Sequence, residues 1–87
     1  MLSSREEIQA WLIERIAREV KITPDKIGTD VPFARFGLDS IVLVTLVDDL
    51  EHMVGISLDP TIFWEFPTNE ILTNWLVEDK LAIKESS

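Results

Sequence analysis

The sequence has 87 residues, of which 46% are hydrophobic, and a net charge of −8. This length predicts one domain, residues 1–87 with a core over about 4–82, and leaves little room for a catalytic domain with its own substrate cleft. Because there is no cysteine and only one histidine, disulfides, thiol redox chemistry and the usual zinc sites are excluded, and no metal site is expected.

The N-terminal segment has acidic side chains and lacks the apolar core of a signal peptide. No run approaches the roughly 18 apolar residues of a membrane helix. We therefore expect a cytoplasmic protein without a membrane partner. The initial methionine and the polar C-terminal tail suggest a stand-alone protein, but a domain excised from a larger protein and given a start codon would look the same.

The first predicted helix begins at Ser4, because Ser4 and Glu7 have the spacing of a capping box. It is expected to run to about Lys21, where Thr23-Pro24 turns the backbone away from helical dihedrals. Its apolar residues recur every four positions and predict one buried stripe, with Trp11 in the core rather than in a ligand site. These stripe residues are Ile8, Leu12, Ile16 and Val20.

A long connection without helical periodicity follows, from Pro24 to Asp39. Loops of this length in small domains are usually functional or disordered. Four apolar residues spaced along it argue against disorder and predict a crossing loop anchored on the core. These anchors are Ile27, Val31, Phe33 and Phe36.

The second predicted helix starts at Ser40 and ends at His52 or Met53, before Gly55. Gly37 allows a turn, Asp39 is an N-cap candidate, and Ser40 would lie at the positive end of the helix dipole, where a phosphate on its oxygen is favoured. The buried stripe is predicted to contain Leu43, Val44, Leu46, Val47, Leu50 and Met53. Ile41 lies off this stripe, as a partner contact or partly buried under the loop.

A hydrolase triad of Ser40, Asp39 and His52 is excluded by distance. On one helix, Ser40 and His52 are separated by about 18 Å at roughly 1.5 Å per residue. The glycine positions of a nucleophile elbow are occupied by Leu38 and Val42. His52 is expected on the surface, and Ser40 must either be modified from outside or only begin its helix.

Two further helices complete an all-α, small four-helix bundle with three principal helices and one short one. Asp59-Pro60 predicts the start of the short helix, Thr61 to about Glu65, with Phe63 and Phe66 in the core. Burial of Trp64 is favoured over partial exposure near the mouth of a pocket. The fourth helix is capped by Thr68 and fades near Ala82. Its repeating apolar residues are Ile71, Leu72, Trp75 and Leu76.

The net negative charge comes from one part of the chain. Residues 1–35 contain six lysine or arginine and six acidic side chains, whereas residues 36–79 contain nine acidic side chains and no lysine or arginine. A field of one sign favours partners with basic patches and disfavours nucleic acid, although an acidic face can also serve only solubility.

The sequence Gly37-Leu38-Asp39-Ser40-Ile41 resembles the modification motif of acyl carrier proteins, and Leu38-Asp39 is closer to the polyketide synthase branch. Carriers of fatty acid synthesis usually have alanine before the aspartate, and peptidyl carriers more often have glycine and histidine before the serine. The surrounding residues also match, so that the similarity covers roughly Ile8 to Leu76. The matching positions are Asp30, Phe33, Leu46, Leu50, Glu51, Gly55, Ile56, Phe66, Pro67 and Thr68.

This resemblance implies a non-catalytic carrier. A phosphopantetheinyl transferase would attach 4′-phosphopantetheine to Ser40, with Asp39 in helix capping and transferase recognition, and the thiol would hold acyl groups as thioesters. The implied pathway is polyketide or mixed polyketide/nonribosomal peptide biosynthesis, with fatty acid and peptidyl carriers as alternatives. The implied partners are an acyl-loading enzyme (acyltransferase or adenylate-forming ligase), ketosynthase and other synthase enzymes.

The expected partner surface lies on the second helix of a monomer. It consists of Leu38, Ile41, Thr45, Asp48, Asp49 and Glu51. Whether the bundle also encloses the acyl chain would depend on how Phe36, Leu46, Phe63 and Trp75 pack. Outside the carrier class, the chain could be an unmodified acidic adaptor in which Ser40 only begins the helix.

Overall fold

The computed structural model describes residues 4–80, and these residues form the expected all-helical bundle. The four helices are α1 (Arg5–Val20), α2 (Ser40–Val54), α3 (Ile62–Glu65) and α4 (Asn69–Trp75), followed by a π-helical segment, Leu76–Lys80. The crossing loop contains two 3₁₀ turns that the sequence did not predict, Pro24–Lys26 and Phe33–Phe36. Three principal helices and one short helix are thereby confirmed.

Helix α1 is a scaffold element, as its periodicity predicts. The hydroxyl of Ser4 accepts a hydrogen bond from the Glu7 amide at 3.2 Å, and Ile8, Leu12 and Ile16 have no exposed surface. Trp11 is half-buried against this core. The helix ends before the proline, because Lys21 adopts a left-handed conformation with φ of 60°.

The crossing loop is held to the core by side chains and to the start of α4 by its backbone. Ile27 and Phe33 are buried, while Val31 and Phe36 are only half-buried. The Phe33 amide donates to the Pro67 carbonyl at 2.7 Å, and the Glu70 amide donates to the Thr29 carbonyl at 3.0 Å. These two backbone contacts fix the loop against the start of α4.

Helix α2 is slightly longer than predicted and buries a narrower face. It continues to Val54 and ends at Gly55, which has φ of 77° and donates its amide to the Glu51 carbonyl. The prediction that Val44 is buried is wrong, since its side chain is 50% exposed. Successive helical residues are rotated by about 100°, which turns Val44 away from the face occupied by Leu46, Val47, Leu50 and Val54.

Helix α3 is a single turn, Ile62–Glu65, and it does not use Asp59 as its cap. The Asp59 carboxylate accepts from the Thr61 amide at 2.9 Å and from the Thr61 hydroxyl at 2.8 Å. These hydrogen bonds lower the pKa of Asp59 and stabilise the turn from Asp59 to Thr61, directly before the helix. Phe63 is buried, but the expected burial of Trp64 is wrong because it is 60% exposed.

Helix α4 is capped by Thr68, whose hydroxyl accepts from the Ile71 amide at 3.1 Å. Ile71, one of the apolar residues that repeat at helical spacing, is 45% exposed. The buried face contains two polar residues instead, Asn69 and Thr73, at 1% and 0% exposure. Phe66 is half-buried and stacks on Trp75, with ring centroids 4.3 Å apart. The predicted helix end near Ala82 lies outside the described residues.

Candidate functional site

The start of α2 presents Ser40 to solvent while a neighbouring side chain caps the helix. Gly37 ends the second 3₁₀ turn in a left-handed conformation, with φ of 70°. Asp39 then caps α2, because its carboxylate accepts from the Val42 amide at 2.9 Å. Ser40 is the first helical residue and is exposed. The cap is therefore made by Asp39, which leaves the Ser40 hydroxyl available for other chemistry.

Replacing Asp39 by alanine is expected to lower the free energy of unfolding by about 1 kcal/mol, since an N-cap hydrogen bond is lost. Asparagine can make the same hydrogen bond, so Asp39→Asn is the matched control and should retain most of the stability. Urea unfolding followed by circular dichroism measures both. An equal loss in the two variants would contradict a capping role.

A surface depression of about 360 Å³ lies beside Ser40. It lies between the second 3₁₀ turn, the start of α2 and α3, and most of the side chains around it are apolar. Phe33 and Phe63 meet edge to face within it, with ring centroids 4.9 Å apart. Its lining residues are Phe33, Ala34, Leu38, Asp39, Ser40, Leu43, Phe63 and Trp64.

The depression differs from the enclosed pocket considered from the sequence. Of the four side chains named for that pocket, Phe63 lines the depression. Leu46 has no exposed surface, and Trp75 stacks on Phe66. Trp64 also lines the depression, so its alternative placement at the mouth of a pocket, which the sequence analysis ranks below burial, is the one that the structure shows.

Four of the residues predicted for the partner surface lie on or beside the exposed face of α2. Ile41 is 79% exposed, and Asp48 and Thr45 are also exposed. The Thr45 hydroxyl donates to the Ile41 carbonyl at 3.0 Å. Leu38 is half-buried at the edge of the depression. Val44 belongs to the same exposed region, although it was assigned to the core.

The other two residues predicted for the partner surface have partners within the fold. The Asp49 carboxylate lies 2.7 Å from the Arg15 guanidinium, which also lies 5.1 Å from the centre of the Trp11 ring. The Glu51 carboxylate accepts from the Leu58 amide at 3.0 Å. Both carboxylates thus contact neighbouring segments, with the Asp49 side chain still 41% exposed, whereas Asp48 is exposed as a whole residue.

His52 is exposed at the far end of α2, as expected for a surface residue. Its Nδ1–H donates to the Asp48 carbonyl at 2.8 Å. This hydrogen bond raises the pKa of His52, and the nearby charges of Asp48, Asp49 and Glu51 raise it further. His52 and Ser40 lie near opposite ends of α2, so these two side chains do not form a catalytic pair.

In the described part of the chain, neither a metal site nor a membrane-spanning helix competes with the start of α2. Within residues 4–80, no three histidine, aspartate or glutamate side chains are grouped so that they could hold a metal ion. None of the helices in this range combines the length and the apolar character needed to cross a membrane. The start of α2 and its depression are therefore the candidate site.

Comparisons with known proteins place this site in a family context. The family model for the phosphopantetheine attachment site matches residues 10–76. The polyketide synthase PksL of Bacillus subtilis is 37% identical over 67 residues, which are 77% of this chain and 2% of that protein. The acyl carrier protein TtuC of Teredinibacter turnerae is 43% identical over 53 residues, 61% of each chain. This chain thus spans a small fraction of the synthase that it matches.

A solved structure supports the same relationship at the level of the fold. The free-standing peptidyl carrier protein of Acinetobacter baumannii superposes with a TM-score of 0.81 and 32% identity, covering 90% of this chain and 98% of that one. The helices and the crossing loop described above therefore have the arrangement of a carrier protein.

Proposed function

We propose that Ser40 of this chain, which belongs to the phosphopantetheine attachment-site family, is the residue that carries the 4′-phosphopantetheine arm. Members of this family are non-catalytic carriers that bind the arm on a serine. The observation that carries the assignment is the position of Ser40, which is exposed as the first residue of α2 while Asp39 makes the cap of that helix.

The local structure fits a phosphodiester on Ser40. The positive end of the α2 dipole favours a phosphate there by about 0.3–1 kcal/mol. The arm supplies a thiol, on which acyl groups are carried as thioesters, to a chain that has no cysteine of its own. The protein has the remaining tasks of presenting the arm and contacting the enzymes that act on it.

We further propose that the carrier acts in polyketide or mixed polyketide/nonribosomal peptide synthesis. The similarity to PksL and the Leu38-Asp39 pair before Ser40 support this pathway over fatty acid synthesis. Homologues that are parts of polyketide synthases imply synthase enzymes as partners. A phosphopantetheinyl transferase, a loading enzyme and a ketosynthase are the specific partners proposed, acting on a cytoplasmic, monomeric, single-domain carrier.

Intact-mass measurement tests the attachment directly. Incubation of the purified protein with coenzyme A and a broad-specificity phosphopantetheinyl transferase should add the mass of one phosphopantetheine group. A known carrier incubated in parallel shows that the transferase is active. If this chain remains unmodified while the control gains mass, the carrier assignment fails and the acidic adaptor becomes the better description.

The exposed face of α2 is the proposed contact surface for the transferase and later enzymes. Charged groups at the edge of an interface mainly change the association rate, and a carrier must dissociate readily from each enzyme. Asp48→Lys is therefore expected to lower the rate of modification by about two- to tenfold at low salt. The difference should shrink at about 1 M salt, where the screening length is about 3 Å.

Glu19→Lys is the matched control for that rate, since it makes the same charge change at an exposed position of α1. A similar slowing in both variants would contradict a specific contact at Asp48. Asp49→Lys is unsuitable because it would place a second cation against Arg15, its partner at 2.7 Å. The structure thus separates two acids that the sequence treats as equivalent.

A further inference from the structure

A cation from α1 lies against the acidic side of α2. The Arg15 guanidinium contacts the Asp49 carboxylate at 2.7 Å and lies 5.1 Å from the centre of the Trp11 ring. The side chains of Arg15 and Asp49 are 17% and 41% exposed, so the pair lies at the surface rather than in the core. Its two charges therefore largely cancel where α1 meets α2.

Stability alone does not account for this arginine. Ion pairs at partly exposed positions usually contribute little to the free energy of unfolding. The Arg15 Nε is buried and has no hydrogen-bond partner among residues 4–80, which is unfavourable for a polar atom. Helix α1 is already held to the core by Leu12 and Ile16, which have no exposed surface. An effect on the surface charge of α2 explains the presence of the cation better.

The exposed face of α2 contains a single stripe of residues, and Asp49 lies beside it. The members of this exposed stripe are spaced by three or four residues, which places them on one face of the helix. They are Ile41, Thr45, Asp48 and His52. Asp49 is rotated from Asp48 by about 100°, toward the side where Arg15 meets α2. Arg15 thus cancels the charge of one of two adjacent acids and leaves Asp48 on the stripe.

We propose that Arg15 is a specificity-determining residue of the carrier, because it confines the negative charge that a partner enzyme meets to the exposed stripe. This inference rests on the proposed attachment at Ser40 and deepens the proposed contact surface. The partner that it fits has a basic patch that covers the stripe and meets Asp48. A basic patch that approaches from the side of α1 meets the cation of Arg15 instead and is not attracted by Asp49.

The cation acts against wrongly placed partners as well as on the acid beside it. Specificity is often obtained by an element that repels the unwanted geometry, and a positive charge next to an acidic surface is such an element. Charges at the edge of an interface mainly change the association rate. The expected effect of Arg15 is therefore on the rate at which an enzyme finds the carrier.

The rate of mass gain tests this inference. The full chain and its variants are incubated at low salt with coenzyme A and a limiting amount of a broad-specificity phosphopantetheinyl transferase, and intact mass is followed over time. Arg15→Gln removes the cation and frees the Asp49 carboxylate, so the rate should rise by about two- to fivefold. At about 1 M salt the rates should converge, because charges are screened there.

Three further variants separate the ion pair from a general change of charge. Arg15→Lys keeps a cation beside Asp49 and should react at the wild-type rate. Lys26→Gln removes one positive charge at an exposed position of the first 3₁₀ turn and should raise the rate less than Arg15→Gln. The double variant Arg15→Gln/Asp49→Asn removes both charges and should return to the wild-type rate, which the loss of a merely structural contact would not do.

The outcomes distinguish this inference from the attachment on which it rests. If the wild type gains no mass while a known carrier does, both fail. If the wild type is modified but Arg15→Gln is no faster than the wild type or than Lys26→Gln, only the role of Arg15 is overturned. A rate that stays raised in the double variant also overturns it, because the effect then does not depend on Asp49. Loss of the helical circular dichroism spectrum in Arg15→Gln would assign a structural role to the arginine instead.

Discussion

Replacement of Ser40 by alanine is expected to abolish the gain of phosphopantetheine mass completely, because alanine has no side-chain oxygen that could form the phosphodiester. The same change should alter the free energy of unfolding by no more than about 0.5 kcal/mol. Asp39 and not Ser40 makes the N-cap hydrogen bond, and alanine is well tolerated inside a helix. Intact mass and urea unfolding measure the two effects on one preparation.

Ser57→Ala is the matched control for this loss. Ser57 is an exposed serine beyond the other end of α2, and its replacement should leave modification unchanged. Retention of the added mass in Ser40→Ala would move the attachment to another residue. Loss of helical structure together with modification would instead indicate that Ser40 has a structural role at the start of α2.

The starts of the three principal helices could be predicted from sequence because they depend on local chemistry. Ser4, Asp39 and Thr68 each precede an apolar periodic segment, and each accepts a hydrogen bond from an amide three residues further along. A short polar side chain at this spacing satisfies one of the free amides of the first turn. This local signal was enough to place Ser40 at the first position of α2.

Which face of each helix is buried depended on contacts that are distant in sequence. A stripe of apolar residues gives the period of a helix, but its neighbours determine how wide a face they cover. Val44 and Ile71 extend past the covered face and are exposed. Trp64 lies in a helix of a single turn, which is too short to show a helical period of apolar residues. Its exposure is set by the segments on either side.

The contacts of the charged residues in the candidate site also depend on segments that are distant in sequence. Asp48 and Asp49 are adjacent in sequence, yet only Asp49 reaches a cation, because α1 brings Arg15 to one side of α2. The Glu51 carboxylate accepts a hydrogen bond from the Leu58 amide, because the chain returns to α2 after the turn at Gly55. The depression also depends on a contact between residues distant in sequence, because Phe33 of the crossing loop packs against Phe63 of α3.

A buried polar pair in α4 was missed for a related reason. Asn69 lies at the first position of α4, where an asparagine is normally exposed. Its Nδ2 donates to the Gln9 carbonyl of α1 at 3.3 Å, and its Oδ1 accepts from the Thr73 hydroxyl at 2.9 Å. Both side chains are almost fully buried. Nothing in the local sequence shows that α1 supplies the carbonyl that makes this burial tolerable.

Asn69→Ala is expected to lower the free energy of unfolding by about 2–3 kcal/mol, because it removes two hydrogen bonds and leaves the buried Thr73 hydroxyl without its acceptor. For a domain of this size, the melting temperature should fall by roughly 10–20 °C. Urea and thermal unfolding measure the change. Intact-mass assay of the still folded variant should show normal modification, since Asn69 lies outside the Ser40 depression.

Asn74→Ala makes the same chemical change at a half-buried position of the same helix and should cost much less. The double variant Asn69→Leu/Thr73→Val removes both polar side chains together and should recover part of the loss, because fewer polar groups remain unpaired. Equal losses at Asn69 and Asn74 would contradict a specific polar link between α4 and α1. Recovery in the double variant would show that the loss in Asn69→Ala comes largely from polar groups left unpaired in the buried contact between α4 and α1, rather than from lost side-chain packing.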